Sequence, residues 1–109
     1  MKVIILPQVL DYLENLVEIL YQKEYFGFRE SSREYVVELI ERIEGDLPLT
    51  LHKPAPAYFD PHKEDMHYVW FRVNRQTTWY AFFTKYVENN TTIYLVQHIE
   101  NNHTIAQYL

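Results

Sequence analysis

Arg72 and His98 are the two residues of this chain best suited to chemistry, and both fall in aromatic, β-branched runs. The runs are Tyr68 to Phe83 (YVWFRVNRQTTWYAFF) and Thr91 to Ile99 (TTIYLVQHI). Their composition suits strands of a half-buried sheet. A guanidinium is permanently charged and binds in a bidentate fork, and an imidazole exchanges protons near neutral pH. Tyr68, Trp70, Tyr80, Phe82 and Tyr94 supply flat rings in the same runs. A face carrying a cation, an imidazole and π-surfaces is either a binding site or the cover of one. The rings also read as a second hydrophobic layer, or as the seat of a partner peptide, because so large an apolar patch is unsuited to a bare monomer. Taken alone, His98 reads as a hydrogen-bonded structural histidine and Arg72 as a solvated charge whose stem covers a ring. Their alignment on one face is what raises both.

Other constellations carry less. Asp60, His62, Asp65 and His67 resemble a hard-ion or zinc cluster, but they lack the spacing of a helical zinc site, and a Pro-flanked polar loop is the reading taken. No metal and no cofactor is expected. The triplets at Asn89, Asn90 and Asn102 match glycosylation sequons and are read as turn residues. Gly27 and Gly45 are the only glycines, so there is no phosphate-cradling loop, and no Ser occupies an elbow motif.

The 109 residues suffice for one domain, 1–109, and 48% hydrophobic content argues for a packed core. With no Cys, neither disulfides nor thiolate metal sites arise. The apolar run Val3 to Leu6 stops at Pro7, too short for a secretory signal or a membrane span. A soluble, cytoplasmic protein with no membrane association is expected. A net charge of -5 opposes a general nucleic-acid-binding role, although acidic residues concentrate between Asp11 and Asp46 and leave room for a local cationic site later.

Positioning these residues requires a scaffold. Val3 to Leu6 suits a buried strand. Pro7 can open a helix, with Val9, Leu13, Leu16 and Leu20 as its apolar stripe to about Gln22. Ser31 and Glu34 have capping-box spacing for a second helix, with core positions Val36, Leu39, Ile40 and Ile43 and a stop at Gly45. Prolines 48, 54, 56 and 61 mark an irregular stretch, with an edge strand at Ala57 to Phe59. Strands at His67 to Asn74, Thr78 to Tyr86 and Thr92 to Ile99 complete a meander, and Asn102 to Leu109 forms a last helical turn. The fold class is α+β: an N-terminal strand and a helical hairpin on one face of an antiparallel sheet.

Alternation divides each strand into two sets. Val69, Phe71, Val73, Trp79, Ala81, Phe83, Ile93, Leu95 and Ile99 are the more apolar set and are assigned to the helix-covered core. Tyr68, Trp70, Arg72, Tyr80, Phe82, Thr84, Tyr94, Val96 and His98 take the opposite face. This needs a loop of about three residues around Gln76 and a longer one around Asn89. Arg72 then lies opposite Tyr80, with Tyr80 opposite or one pair from His98. A two-residue Asn89-Asn90 turn would instead flip the last strand and put His98 in the core.

This order of elements resembles the RelE/ParE toxin superfamily. The likeness is carried by the helices DYLENLVEIL and SSREYVVELIERI, the strand pair YVWFRVNRQTTWYAFF and the closing YLVQHIENNHTIAQYL. The resemblance implies the toxin of a bacterial type II toxin-antitoxin system, bound by a cognate antitoxin. Its activity would be metal-independent, ribosome-dependent messenger RNA cleavage, or inhibition of DNA gyrase. For RNA cleavage, Arg72 is the natural phosphate clamp and His98 the proton-exchanging group, with Tyr80 or Tyr108 orienting a group or stacking a base. Lys53, Arg75 and His103 are secondary. Tyr68, Trp70, Phe82 and Tyr94 would seat the antitoxin or a second copy in a homodimer. RNA-cleaving members are usually strongly basic, so the charge of -5 motivates an alternative: a diverged, non-catalytic protein-interaction or small-ligand-binding module on the same fold.

Overall fold

A computed structural model describes residues 2–23, 29–55, 66–73, 75 and 77–102. In chain order the elements are β1 (Lys2–Ile5), α1 (Pro7–Gln22), α2 (Arg29–Asp46), a 3-10 turn at Leu47–Leu49, β2 (Lys53–Pro54), β3 (His67–Arg72), β4 (Thr78–Glu88) and β5 (Thr91–Asn101). The fold is α+β, with two helices packed against a five-stranded sheet in the order β1-β5-β4-β3-β2. The sheet is mixed and not purely antiparallel, because β1 pairs in parallel with β5, Val3 beside Tyr94 and Ile5 beside Val96.

Pro7 opens α1 as expected, after Leu6 in an extended conformation, and Val9, Leu13 and Leu16 are buried. The second helix is longer than the capping signals suggest, and its stripe explains why. Val36, Leu39 and Ile43 extend at the same spacing back to Ser32 and on to Leu47, all of them buried. Burying Leu47 outweighs the roughly 1 kcal/mol that a mid-helix glycine costs, so the helix runs through Gly45 and ends before Pro48. Ser31 is therefore inside the helix and does not cap it. Ser32 occupies a core position, and its hydroxyl has no hydrogen-bond partner.

The two faces of the sheet separate cleanly in β3 and β4. Val69, Phe71, Trp79, Ala81 and Phe83 join α1 and α2 in the main core, with Val73 packed beside them. Polar ties support the packing: the Trp79 indole donates to the Tyr35 hydroxyl at 2.8 Å, and Arg42 donates to the Arg72 carbonyl at 2.9 Å while stacking 5.3 Å from the Phe71 ring centroid. The β3–β4 hairpin closes by Val73 donating to the Thr77 carbonyl at 3.1 Å. Arg72 lies across from Thr78, and it is Trp70 that faces Tyr80. The expected pairing of Arg72 with Tyr80 is thus off by one same-face step.

In β5 the expectation breaks in the middle. The β4–β5 connection is the two-residue turn Asn89-Asn90, both at positive φ (50° and 62°), a conformation that Asn tolerates better than most residues. The first half of β5 is accordingly flipped. Tyr94 and Val96 enter the main core, while Ile93 and Leu95 take the other face. Then the register slips by one residue: Phe83 pairs with Val96, but Phe82 pairs with His98 and Ala81 with Ile99. This bulge at Gln97 restores the expected parity for the second half. His98 is on the aromatic face and Ile99 is in the core.

Candidate functional site

Four strands meet on the face opposite the helices. One row crosses the sheet as Lys53, Tyr68, Phe82, His98, each residue directly paired with the next. The adjacent row runs Trp70, Tyr80, Glu100. Met66, Tyr68 and Phe82 are buried in a second small cluster, against which Ala55 and Tyr80 pack. The Tyr68 ring lies 5.6 Å from Phe82, 6.0 Å from Tyr80 and 6.1 Å from Trp70. Tyr68 is thus the hub of the ring cluster.

Polar groups surround the rings. The Lys53 ammonium sits 5.1 Å from the Trp70 ring centroid, a cation–π contact of about 0.5–1 kcal/mol at an exposed site. The His98 ring is 5.6 Å from Phe82, and its Nε2 is 3.4 Å from Glu100 Oε1. An imidazole beside a carboxylate can hold a proton and pass it on, the elementary requirement of general acid–base work. Gln97 donates to the Thr84 hydroxyl at 2.9 Å on the same face. Glu100 also acts on Tyr12 of α1, whose phenol pKa is raised by burial first and then by the negative charges of Glu100 and Tyr35.

The structure brings His98, Tyr80, Tyr68, Trp70, Phe82 and Lys53 together. It does not bring Arg72 to His98. Arg72 is level with Thr78 and His98 with Phe82. Four residues at ~3.3 Å along the strands and two strand spacings of ~4.8 Å put their Cα atoms roughly 16 Å apart. Arg72 instead points to its own hairpin, donating to the Arg75 carbonyl at 3.3 Å. Arg72 and Arg75 therefore form a separate cationic corner. Tyr94 is not on this face at all. It packs in the main core, 5.7 Å from Phe83, because the short Asn89-Asn90 turn flipped its half of the strand.

The aromatic face is also not the bare patch expected of a docking seat. Tyr68 and Phe82 are buried, and of the expected seat residues only Trp70 is exposed, at 38%. His103, Tyr108, Asp60, His62 and Asp65, together with the edge strand at 57–59, lie outside the described residues. Among the described residues no group of three or more metal-binding side chains gathers, and no helix is long and apolar enough to cross a membrane.

Three residues of this face were not picked out from the sequence. Glu100 was within reach, since it stands two positions after His98 and alternation alone puts them together. Thr84 was placed on this face by alternation but given no role, and Gln97 was out of reach, because alternation places it opposite its neighbour unless a bulge intervenes. No family model, no curated protein and no solved structure matches the chain.

Proposed function

We propose that this chain is the toxin of a bacterial type II toxin-antitoxin pair of the RelE/ParE type, cleaving RNA without a metal on the sheet face opposite its helices. The observation that carries the reading is the His98–Glu100 pair, set beside Phe82 and Tyr80 on a face that also bears Lys53 and Trp70. In such a reaction the 2′-hydroxyl of RNA gives up its proton and attacks the adjacent phosphate. The bond from phosphorus to the 5′-oxygen breaks, and the departing 5′-oxygen takes a proton, leaving a 2′,3′-cyclic phosphate. His98 accepts or returns the proton, Lys53 or Arg72 meets phosphate charge farther along the strand, and Trp70 or Tyr80 stacks a base. An extended single strand fits this layout better than one phosphate held by every cation at once, because the cations are spread across the sheet. A cognate antitoxin would bind so as to block this face.

The acidic net charge and the separation of Arg72 from His98 favour a second reading, a non-catalytic interaction module that uses the same face. Induction of the chain alone in bacterial cells separates the two. The toxin reading expects growth arrest, with degradation of messenger RNA in the arrested cells. Arg72→Ala should relieve the arrest only in part, given its distance from His98. Harmless expression of soluble wild-type protein would rule out the toxin reading and leave the interaction module.

A further inference from the structure

We infer that Gln97 and Thr84 are positioning residues of this site: the bulge in β5 sets the Gln97 amide beside His98 on one face, and the Thr84 hydroxyl holds it there. The inference builds on the reading of this face as the functional one. It adds two side chains and the backbone device that places them.

A regular ladder continued from the Asn89-Asn90 turn would pair Gln97 with Phe82 and His98 with Ala81, turning the imidazole into the helix-covered core. The observed slip pairs His98 with Phe82 and returns Ile99 to Ala81. Burial of Ile99 explains a correction of parity, but it does not explain Gln97. A strand lacking Gln97 would place Val96, His98 and Ile99 across from Phe83, Phe82 and Ala81 in plain alternation. The hydrophobic pattern is therefore satisfied equally well one residue shorter.

An inserted residue interrupts the ladder and bends the strand, and such irregularities serve to re-aim side chains. Here the effect is specific. Two consecutive residues, which alternation would send to opposite faces, stand on the same one: Gln97 against Thr84 and His98 against Phe82. Glu100 contacts the imidazole, so His98 stands between a carboxylate and the strand segment that carries the amide.

The test uses the full chain with Gln97 deleted, Thr84→Val and Thr84→Ser, read by denaturant midpoint, by the His98 ring-proton NMR resonance at fixed pH, and by growth arrest. The deletion is expected to fold with a midpoint equal to or above that of the parent, to move the His98 resonance, and to lose the arrest. Thr84→Val should move the same resonance less, and Thr84→Ser should restore it. A deletion that does not fold would overturn the inference, since Gln97 would then be a requirement of the ladder. So would a His98 resonance unmoved by both the deletion and Thr84→Val. A parent that never arrests growth strikes the toxin reading alone, because the resonance still decides the role of the bulge.

Discussion

The two faces of the sheet use similar aromatic residues to different ends. On the helix side Phe71, Trp79, Phe83 and Tyr94 merge with the stripes of α1 and α2 into one continuous core. On the other side, among the described residues, Tyr68 and Phe82 bury a small cluster with Met66, and the periphery of that cluster is polar: Lys53, Tyr80, His98, Glu100 and Gln97. Apolar residues on both faces therefore do not make two equal cores. The face closed by helices supplies stability. The face opposite the helices supplies an aromatic floor of Tyr68 and Phe82 around which polar groups are held.

Paired substitutions at adjacent residues of β4 probe that difference most strongly. Phe83 and Phe82 are both fully buried but point to opposite faces. Phe83→Ala should lower the unfolding free energy by about 3–5 kcal/mol, and Phe82→Ala by about 3 kcal/mol, because a small cluster collapses onto a cavity more readily than a large one. Urea denaturation of the two variants checks this. A larger loss from Phe82→Ala would mean that the aromatic face is the main core.

Smaller effects of opposite sign are expected in α2. Ser32→Ala removes a buried hydroxyl that has no partner and should stabilise by about 1 kcal/mol. Gly45→Ala adds a methyl group where nothing lies within 4 Å, inside a helix, and should gain about 0.5–1 kcal/mol. Either substitution lowering the thermal midpoint would mean that α2 is shorter than described.

The smallest effect is at alkaline pH. Burial raises the phenol pKa of Tyr12 and also that of Tyr35, where the Trp79 hydrogen bond partly offsets it. The folded state therefore holds these protons more tightly than the unfolded chain, whose tyrosines titrate near 10. Their contribution is complete below that pH and is lost as pH rises through the raised folded values. A stability profile that falls above about pH 10, and falls less in Tyr12→Phe, is the expected result. A profile identical in the variant would remove Tyr12 from the account.

Much of this was legible in the residues. Spacing alone marked Pro7 to Gln22 as a helix, and alternation sorted Val69, Phe71, Trp79, Ala81 and Phe83 onto the helix-covered face. The second helix was read too short, because Ser31 and Gly45 are local signals whereas the Ser32-to-Leu47 stripe answers to tertiary burial. In β5 two irregularities nearly cancel. The short turn inverts Tyr94 and Val96, the bulge re-inverts His98 and Ile99, and alternation carried across both gave the right face for His98 with the wrong one for Tyr94. Only the paired register separates these effects. The same register removes Arg72 from the neighbourhood of His98, a distance that face assignment by itself cannot supply.

The most direct test of the division between the two faces is growth arrest by His98→Ala at a soluble level matched to the wild type. His98 is partly exposed on the face away from the helices, so its truncation should leave the denaturation midpoint within about 0.5 kcal/mol of the parent. The account predicts that this stable variant no longer arrests growth. A stable His98→Ala protein that arrests growth as strongly as the wild type would contradict it.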